Sequence, residues 1–517
     1  MKLISGTVES EKSPRLSQAD FDAGWRLACM STVLEDVAVL VPAQNSGVQS
    51  EIRTVGLSGA SEFERYSAAV SAIFASGLPR GVAQTGTGLA VDIGTTTVSA
   101  ALIDLRSGQV LSAANAGNAQ TRYGADVINR IIQSAKPGGS QRLRDAVLEE
   151  TLIPLIQALC QGASIAPEEI TRAVIAGNTT MEHLLVGADA QSIRMEPYVP
   201  AFLELPGQTS ETVGLGISPD APVVFAPNVG SYVGGDITAG VLATMLWNRD
   251  EMTLFVDLGT NGELVFGNRD FMLCCACSAG PAFEGGDIIC GMRAMPGAIE
   301  AVKIDPDTME PTLEVIGNCQ AAGICGSGLI DTVSELFRHG IIDARGKIVR
   351  DGPRIKRTEY EASYLLAFGS ETAGGRDIEL TETDIDNFIR AKGAVFSAVK
   401  TMLNSLDMEI HDIGNILIAG GIGSGIDINN AISIGMLPPL PESKYSYIGN
   451  SCLTGVCAVL QSEAAEARMF ELGRNMTYLE LSDHPGYMDE FIAACFLPHT
   501  NTDLFETDAH YGGEETL

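Results

Sequence analysis

The sequence predicts an α/β protein in which two similar lobes face a common cleft. Two stretches, residues 90–97 and 255–262, carry this prediction, because each reads as an apolar strand followed by Asp-x-Gly-Thr and a second apolar strand. The copies lie far apart in the chain, so we interpret them as an internal duplication that presents the same turn to one ligand from two sides. One such turn alone would prove little, since similar turns close ordinary hairpins.

The composition of these turns points to an anionic ligand. Glycine and small hydroxyl residues allow backbone N–H groups to approach an anion. The aspartate at the end of each strand, Asp92 in the first copy and Asp257 in the second, suits a hydrated magnesium ion. The pair of turns therefore predicts a site for magnesium-bound phosphate groups.

Bulk composition restricts the class of protein. The 517 residues allow two or three domains, and a hydrophobic content of 45% indicates a globular chain. A formal net charge of −32 argues against nucleic acid or an anionic membrane as a partner. Neither a secretory leader nor a bilayer-spanning apolar run is visible, and eleven scattered cysteines indicate reduced thiols, so we expect a cytoplasmic enzyme.

The order of predicted elements divides the chain into five segments. They are short N-terminal strands, a linker, the first lobe, the second lobe and a C-terminal extension, over residues 1–44, 45–87, 88–250, 251–470 and 471–517. The linker is rich in Gly, Ser and Ala. In the first lobe the order βββαβαβα is typical of a ribonuclease-H-like unit, in which ligands bind at the carboxyl ends of strands.

Local signals predict several of the helices. Residues 141–160 repeat apolar residues at helical spacing, and Pro154 must kink or split that helix. Thr381 and Asp384 have the spacing of a capping box, and a strongly periodic helix follows them.

A third motif follows the predicted strand 416–419. Gly420, Gly421 and Gly423 allow a flat ring or a ribose to lie against bare backbone. The motif does not fit a Rossmann fingerprint, because it lies late in the chain and no acidic residue ends a following strand. Alone, it reads equally well as a loose strand-to-helix turn, but after two Asp-x-Gly-Thr hairpins it fits the base end of a nucleotide site.

The three motifs together resemble the superfamily of acetate kinase, sugar kinases, heat-shock ATPases and actin. The resemblance implies two actin-like ATPase lobes that hold ATP and Mg²⁺ between them. We hypothesise that Asp92 and Asp257 hold the metal through water and that Asn178 or Glu284 orients the attacking water. The expected nucleotide contacts are Gly94, Thr95, Thr96, Thr97, Gly259, Thr260, Asn261, Gly262, Gly420, Gly421 and Gly423.

Three further segments resemble a narrower family, the ATP-dependent reductive activators of corrinoid proteins. They are residues 177–181, 279–285 and 496–500. Members return inactive Co(II) corrinoid to Co(I), which implies a corrinoid protein as the partner and leaves the electron donor and the oligomeric state, a homodimer included, open. The alternatives are a small-molecule kinase on the same scaffold and a chaperone-like nucleotide switch that remodels a partner.

Members of that family carry an N-terminal ferredoxin-type domain with a 2Fe–2S cluster. Residues 24–29 and 37–42 resemble the last third of such a domain, with Cys29 as its fourth ligand. The cluster needs three further cysteines closely spaced before that one, and residues 1–28 contain none. We therefore expect a small β-rich ferredoxin remnant that cannot form the cluster, with Cys29 as an ordinary buried thiol.

Overall fold

The computed structural model describes residues 2–10, 21–26, 31–40, 53–55, 60–82, 85–421 and 425–505. Two of the predicted site residues, Cys29 and Gly423, lie outside these ranges. Within the ranges, no helix has both the length and the apolar character needed to cross a bilayer.

The N-terminal residues form two small antiparallel ribbons. Their strands are β1 (Lys2–Ser5), β2 (Val8–Ser10), β3 (Ser31–Val33) and β4 (Ala38–Leu40). β1 pairs with β4, and β2 pairs with β3. The described residues of these ribbons belong to none of the hydrophobic clusters of the lobes, so this β-rich piece stands apart from the main cores.

The first lobe is built on a seven-stranded sheet. Its strands are β5 (Arg53–Val55), β6 (Thr87–Ile93), β7 (Thr97–Asp104), β8 (Val110–Gly117), β9 (Ile170–Gly177), β10 (Gln208–Thr209) and β11 (Pro222–Phe225). They lie in the order β10-β11-β9-β6-β7-β8-β5. β6, β7 and β8 are antiparallel neighbours, whereas β9 runs parallel to β6, and β11 parallel to β9.

Seven helices accompany the described part of this sheet. They are α1 (Ala60–Ala75), α2 (Val127–Ser134), α3 (Gly139–Val147), α4 (Ile153–Ala163), α5 (Thr179–Val186), α6 (Ser210–Val213) and α7 (Gly235–Thr244). A π-helical turn, Leu148–Leu152, separates α3 from α4, which carries Pro154 in its first turn. The helix expected over 141–160 is therefore divided next to its proline, where a regular helical hydrogen bond is lost.

The second lobe repeats the plan with a six-stranded sheet and two smaller ones. Its strands are β12 (Thr253–Leu258), β13 (Gly262–Gly267), β14 (Met272–Cys277), β15 (Ala298–Ile304), β16 (Pro311–Val315), β17 (Gly323–Ile324), β18 (Ile355–Arg357), β19 (Ala362–Ala367), β20 (Ile378–Thr381), β21 (Asn415–Ala419), β22 (Tyr445–Gly449) and β23 (Thr477–Tyr478). The main order is β22-β21-β12-β13-β14-β23, and the others are β16-β15-β17 and β18-β19-β20.

Five strands of each main sheet follow one topology. In both lobes three antiparallel strands are joined by two parallel ones, β9 and β11 in the first lobe and β21 and β22 in the second. This confirms the predicted α/β architecture of two ribonuclease-H-like lobes. The two Asp-x-Gly-Thr turns occupy equivalent places, between β6 and β7 and between β12 and β13.

The helices of the second half are α8 (Gly326–Arg338), α9 (Glu382–Ser405), α10 (Ile428–Ser433), α11 (Ser451–Leu460), α12 (Glu463–Asn475) and α13 (Tyr487–Ala494). The expected capping box begins α9: Asp384 N–H donates to Thr381 Oγ1 (3.1 Å), and Thr381 N–H donates to Asp384 Oδ2 (3.0 Å). Residues 471–517, expected as an extension, supply β23 to the main sheet and α13, which packs on α9.

The segment expected as a linker, residues 45–87, is partly built into the lobes. β5 pairs with β8 at the edge of the first sheet, and α1 packs on α7 and α11 through the buried Val70 and Ile73. Beyond α1, Gly81 N–H donates to the carbonyl of Gln461 (3.0 Å). The Gly, Ser and Ala content of residues 45–87 gave no indication of this short buried apolar stripe.

One helix of the second lobe crosses to the first. α11 follows β22, yet it packs on α7, β6 and β9. The approach is close, because a Cβ placed on Gly455 of α11 would lie 2.0 Å from the carbonyl oxygen of Ala239 in α7. The lobes are therefore joined at the base of the cleft by backbone-to-backbone contact between two helices.

Candidate functional site

A single cavity of about 770 Å³ lies between the lobes and collects most of the predicted site residues. Those that line it are Asp92, Gly94, Thr95, Thr96, Thr97, Asn178, Asp257, Gly259, Thr260, Asn261, Glu284, Gly420 and Gly421. Gly262 is not among the lining residues; it starts β13, where an added Cβ would lie 2.6 Å from Cys277 Sγ. Packing against β14, and not ligand approach, therefore accounts for that glycine.

The two turns touch across the cleft. Thr96 Oγ1 and Thr260 Oγ1 lie 2.6 Å apart, and Thr260 Oγ1 donates to Glu284 Oε2 at 2.9 Å. A hydroxyl has one proton to donate, so Thr96 must be the donor in the bond between the two threonines. A chain of hydrogen bonds therefore links the first turn, the second turn and Glu284.

Asn178 has both ends of its side chain engaged. It caps α5, where its Oδ1 accepts from Met181 N–H (3.0 Å), and its Nδ2 donates to Thr95 Oγ1 (2.9 Å). These bonds use one of the two N–H groups of Nδ2 and one of the two lone pairs of Oδ1, and they fix the orientation of the amide. Asn178 is thus arranged to orient the Thr95 hydroxyl and to begin the helix that follows β9.

The carboxylate of Asp92 is held from the second lobe. Asn450 Nδ2 donates to Asp92 Oδ2 at 2.7 Å, while Asn450 Oδ1 accepts from Leu453 N–H (2.7 Å) and so caps α11. Burial raises the pKa of Asp92, and the hydrogen bonds from Asn450 and Cys452 oppose that rise. Sequence reasoning missed Asn450, for which the only local signal is its place before a helix.

Two further carboxyl groups line the cavity and were also missed, the half-buried Asp236 and the buried Glu263. Asp236 lies in the first turn of α7, and Glu263 lies on β13. Burial, and then the charges of Asp257 and Asp92, raise the pKa of Asp236 to about 8. Burial and the charge of Asp92 raise the pKa of Asp257 to about 7. The pair Gly234-Gly235 before Asp236 was the one signal in the sequence, since glycines before a helix often mark a ligand loop.

The pKa of Glu263 is also raised, by burial first and then by the charges of Asp236 and Asp257. The cleft therefore concentrates negative charge in a buried place, which a cation would relieve. In the described ranges, no three His, Cys, Asp or Glu side chains are grouped so that they could hold a metal ion between them. A cation here would keep water or ligand oxygens in its coordination shell.

The glycine pair borders the second turn. Gly420 has φ +94°, and an added Cβ would lie 2.1 Å from the Leu258 carbonyl oxygen and 2.9 Å from Asp257 Oδ1. A Cβ on Gly421 would meet no atom of the described residues within 4 Å, in contrast to the tight surroundings of Gly420. The Tyr447 hydroxyl donates to the Gly420 carbonyl at 3.0 Å and fixes this end of the cavity.

Two family models match the chain. The RACo middle region matches residues 87–249, and the C-terminal domain of RACo, the ASKHA domain, matches residues 251–509. The ASKHA match implies nucleotide binding.

Named relatives agree with these matches. The corrinoid activation enzyme RamQ of Eubacterium limosum is 33% identical over 415 residues, which cover 78% of this chain and 69% of RamQ. The [Co(II) methylated amine-specific corrinoid protein] reductase of Methanosarcina barkeri is 23% identical over 427 residues, or 75% of this chain and 73% of the reductase.

One solved structure matches over almost the whole length. It is described as a reductive activator for corrinoid, iron-sulfur protein, and it aligns with a TM-score of 0.76 and 38% identity over 98% of this chain and 92% of that one. This protein therefore belongs to the RACo family, the reductive activators of corrinoid proteins.

Proposed function

We propose that this protein hydrolyses ATP to drive the reduction of Co(II) to Co(I) in a corrinoid protein. Membership of the RACo family supports the partner and the redox change, since the named relatives act on corrinoid proteins. The observation that carries the ATP-dependent part is the single cavity that collects both Asp-x-Gly-Thr turns and the glycine pair. Its volume of about 770 Å³ suits a ligand of nucleotide size.

The chemistry of the cleft fits a magnesium nucleotide. Asp92 and Asp257 end strands of different lobes at one cavity, and burial, then the charge of Asp92, raises the pKa of Asp257. We propose that both carboxylates bind water molecules that the metal coordinates, because the described residues contain no group of three side chains that could bind the metal directly. When bound, Mg²⁺ neutralises charge on the phosphate oxygens.

We propose that Asp236 accepts the proton of the attacking water. Water adds to the γ-phosphorus, the bond to the ADP oxygen breaks, and the water proton passes to a nearby base. A pKa of about 8 in the nucleotide-free protein leaves Asp236 within reach of ionisation near neutral pH, where a general base works best.

Of the two residues expected to orient that water, we favour Glu284. Its Oε2 accepts from Thr260, and it stands beside both turns. The amide of Asn178 is already held at both ends, by the N–H of Met181 at the start of α5 and by the Thr95 hydroxyl. We assign Asn178 to the orientation of the Thr95 hydroxyl.

Reduction of Co(II) takes up one electron, which a separate low-potential donor must supply. Residues 1–28 contain no cysteine, so they do not supply the three further ligands that a ferredoxin-type 2Fe–2S cluster would need before Cys29. The contribution of ATP is conformational in this proposal: a nucleotide that binds one cleft arrangement more tightly shifts the protein towards it. Because α11 of the second lobe packs on the first lobe, a change in the arrangement of the cleft affects the positions of both lobes.

We also propose a cytoplasmic location. The ten described cysteines are all free, and seven of them are buried. Free thiols in such number are typical of a reducing compartment.

The test combines the protein with a Co(II) corrinoid protein and Ti(III) citrate as the electron donor, without oxygen. Co(I) absorbance and phosphate release are followed with ATP, with a non-hydrolysable ATP analogue and with no nucleotide. We expect Co(I) to form only with ATP, and Asp257→Asn to lower both signals. The matched control is Asp220→Asn, which changes an exposed aspartate of the first lobe.

Three other outcomes would overturn the proposal. Phosphate transfer to a metabolite would identify a small-molecule kinase. A bound nucleotide without turnover, with a remodelled partner, would identify a nucleotide switch. Equal rates of Co(I) formation with and without nucleotide would show that the reduction does not depend on ATP.

A further inference from the structure

The first turn is held from behind by three side chains that no motif predicts. Asn118 Nδ2 donates to the Gly94 carbonyl at 3.0 Å, and Arg130 Nη2 donates to the Thr95 carbonyl at 2.5 Å. The next carbonyl, of Thr96, accepts from Asn118 N–H (2.9 Å). It also accepts from Nη2 of Arg293 in the second lobe, at 3.2 Å. Three successive carbonyl groups of one turn are therefore occupied.

A held carbonyl fixes the direction of the N–H in the same peptide. The peptide unit is planar and trans, so its C=O and N–H point in opposite directions. The bond to the Thr95 carbonyl therefore directs the Thr96 N–H away from Arg130. The bond to the Gly94 carbonyl likewise directs the Thr95 N–H away from the side chain of Asn118. Outside the sheet ladders, no backbone hydrogen bond of the described residues uses either N–H as its donor. Both residues line the cavity.

Arg130 is fully buried, and its charge is not neutralised by a bonded carboxylate. Besides Thr95, its guanidinium donates to the carbonyl of Gly124 (2.9 Å) and to Gln120 Oε1 (3.2 Å), and it contacts Met181 Sδ (3.2 Å). Within the described residues it takes part in no salt bridge. Burial lowers its pKa to about 10 although the charges of Asp126 and Glu284 oppose that shift, so it stays protonated at neutral pH.

The hydrogen-bond partners of Arg130 are all neutral, and the carboxylates of Asp126 and Glu284 act on its charge without a hydrogen bond to it. A further anion close to the guanidinium would lower the cost of burying this charge. The cleft beyond the turn is where an anion would complete the arrangement. We propose that Arg130 is a positioning residue for the triphosphate: it holds the Thr95 carbonyl, directs the Thr96 N–H to a phosphate oxygen and supplies a positive charge behind that peptide. This inference rests on the proposed function and names residues that make the turn a phosphate site.

The peptide also transmits the charge of the guanidinium. A hydrogen bond to the carbonyl polarises the amide, so its N–H becomes a stronger donor on the other side. Donors that are fixed in advance need no reorganisation when the phosphate arrives. Arg293 acts on the next peptide from the other lobe, so its contribution depends on the cleft being closed.

The test compares ligands that differ only in their phosphates. Binding of adenosine, ADP and ATP with magnesium is measured for the full chain, for Arg130→Met and for Arg130→Lys. We expect Arg130→Met to weaken ATP binding at least tenfold and adenosine binding less than twofold, because only the phosphates meet the turn. Arg130→Lys keeps the charge and is expected to recover part of the loss for ATP.

The control is Arg122→Met, which removes an exposed charge of the same lobe paired with Glu150. Should Arg130→Met fail to fold, Arg293→Met carries the test, because Arg293 is only partly buried and bonds the adjacent carbonyl. It is expected to weaken ATP binding about threefold and to leave adenosine unchanged.

Two results would overturn the inference. One is an equal loss for adenosine and ATP, the mark of a merely structural role; the other is no loss in either folded variant. If the wild-type chain binds adenosine no more weakly than ADP and ATP, so that the phosphates add nothing to binding, the proposed function is overturned first, and this inference with it.

Discussion

The two Asp-x-Gly-Thr turns occupy equivalent places in their lobes but differ in the side chains around them. Opposite Asp92 the neighbouring strand carries Ser99, whereas opposite Asp257 it carries Glu263. Asp92 is also held by an amide, that of Asn450, while no hydrogen bond lowers the raised pKa of Asp257. The same backbone position thus meets different electrostatic surroundings in the two lobes.

The side chains next to the turns differ in the same sense. Arg130 and Arg293 hold the carbonyls of the first turn, whereas Glu284 accepts from the hydroxyl of Thr260 in the second. Cations suit the binding of phosphates, and carboxylates suit a metal ion or a water that loses its proton. The comparison teaches that duplication fixed the positions of the turns, while the packed surroundings gave each its chemistry.

The largest effect is expected at Asp236, which belongs to neither turn. Asp236→Asn removes the proposed base and should lower kcat for ATP hydrolysis by about 10²- to 10⁴-fold, with a small change in KM. Steady-state phosphate release measures both constants, with Asp220→Asn as the exposed control. A kcat within threefold of wild type would move the base to another carboxyl group of the cleft.

The matched pair Thr260→Val and Thr96→Val tests the division of roles. Thr260 bonds Glu284, so its loss should lower kcat about tenfold with little change in KM. Thr96 lies in the turn whose carbonyls the arginines hold, so its loss should mainly raise KM, by about tenfold. The same kinetics supply both values. Identical changes in the two variants would erase the proposed difference between the turns.

The glycine pair tests how the second turn is kept in place. A Cβ on Gly420 would lie 2.1 Å from the Leu258 carbonyl oxygen, whereas a Cβ on Gly421 would meet no atom of the described part of the chain within 4 Å. Gly420→Ala should therefore lower the free energy of unfolding by about 1–3 kcal/mol and weaken nucleotide binding, and Gly421→Ala should leave stability unchanged. Denaturant unfolding of both variants decides this. Equal stabilities would mean that the turn can move away at no cost.

The smallest effect is expected from pH. In the nucleotide-free fold, Asp236 and Asp257 have pKa values of about 8 and about 7, against an ordinary value of 3.8 in the unfolded chain. Between about pH 4 and pH 8 the folded state therefore binds more protons than the unfolded state, so this contribution to stability falls as pH rises. We expect the difference in Tm between about pH 5.5 and pH 8 to shrink in Asp257→Asn. An unchanged difference would show that these carboxyl groups titrate normally.

The sequence by itself determined the two turns, the glycine pair and the architecture around them. Their signals are local: strand hydrophobicity, glycine and hydroxyl residues fall within a few positions of one another, and the capping box of α9 is a four-residue pattern. The amino-acid sequences of three short segments also indicated the family, and the comparisons confirmed it. In the first lobe the predicted order of elements, βββαβαβα, also indicated the ribonuclease-H-like arrangement.

Only the tertiary structure decided which side chains surround those turns. Asp236, Asn450 and Arg130 come from three different helices or helix ends, far in sequence from the carboxylates and carbonyls they affect. No spacing rule links them, because their meeting depends on how α7, α11 and α2 pack against the two sheets. The pKa values follow for the same reason: burial and neighbouring charge are properties of the packed cleft, and a linear sequence does not contain them.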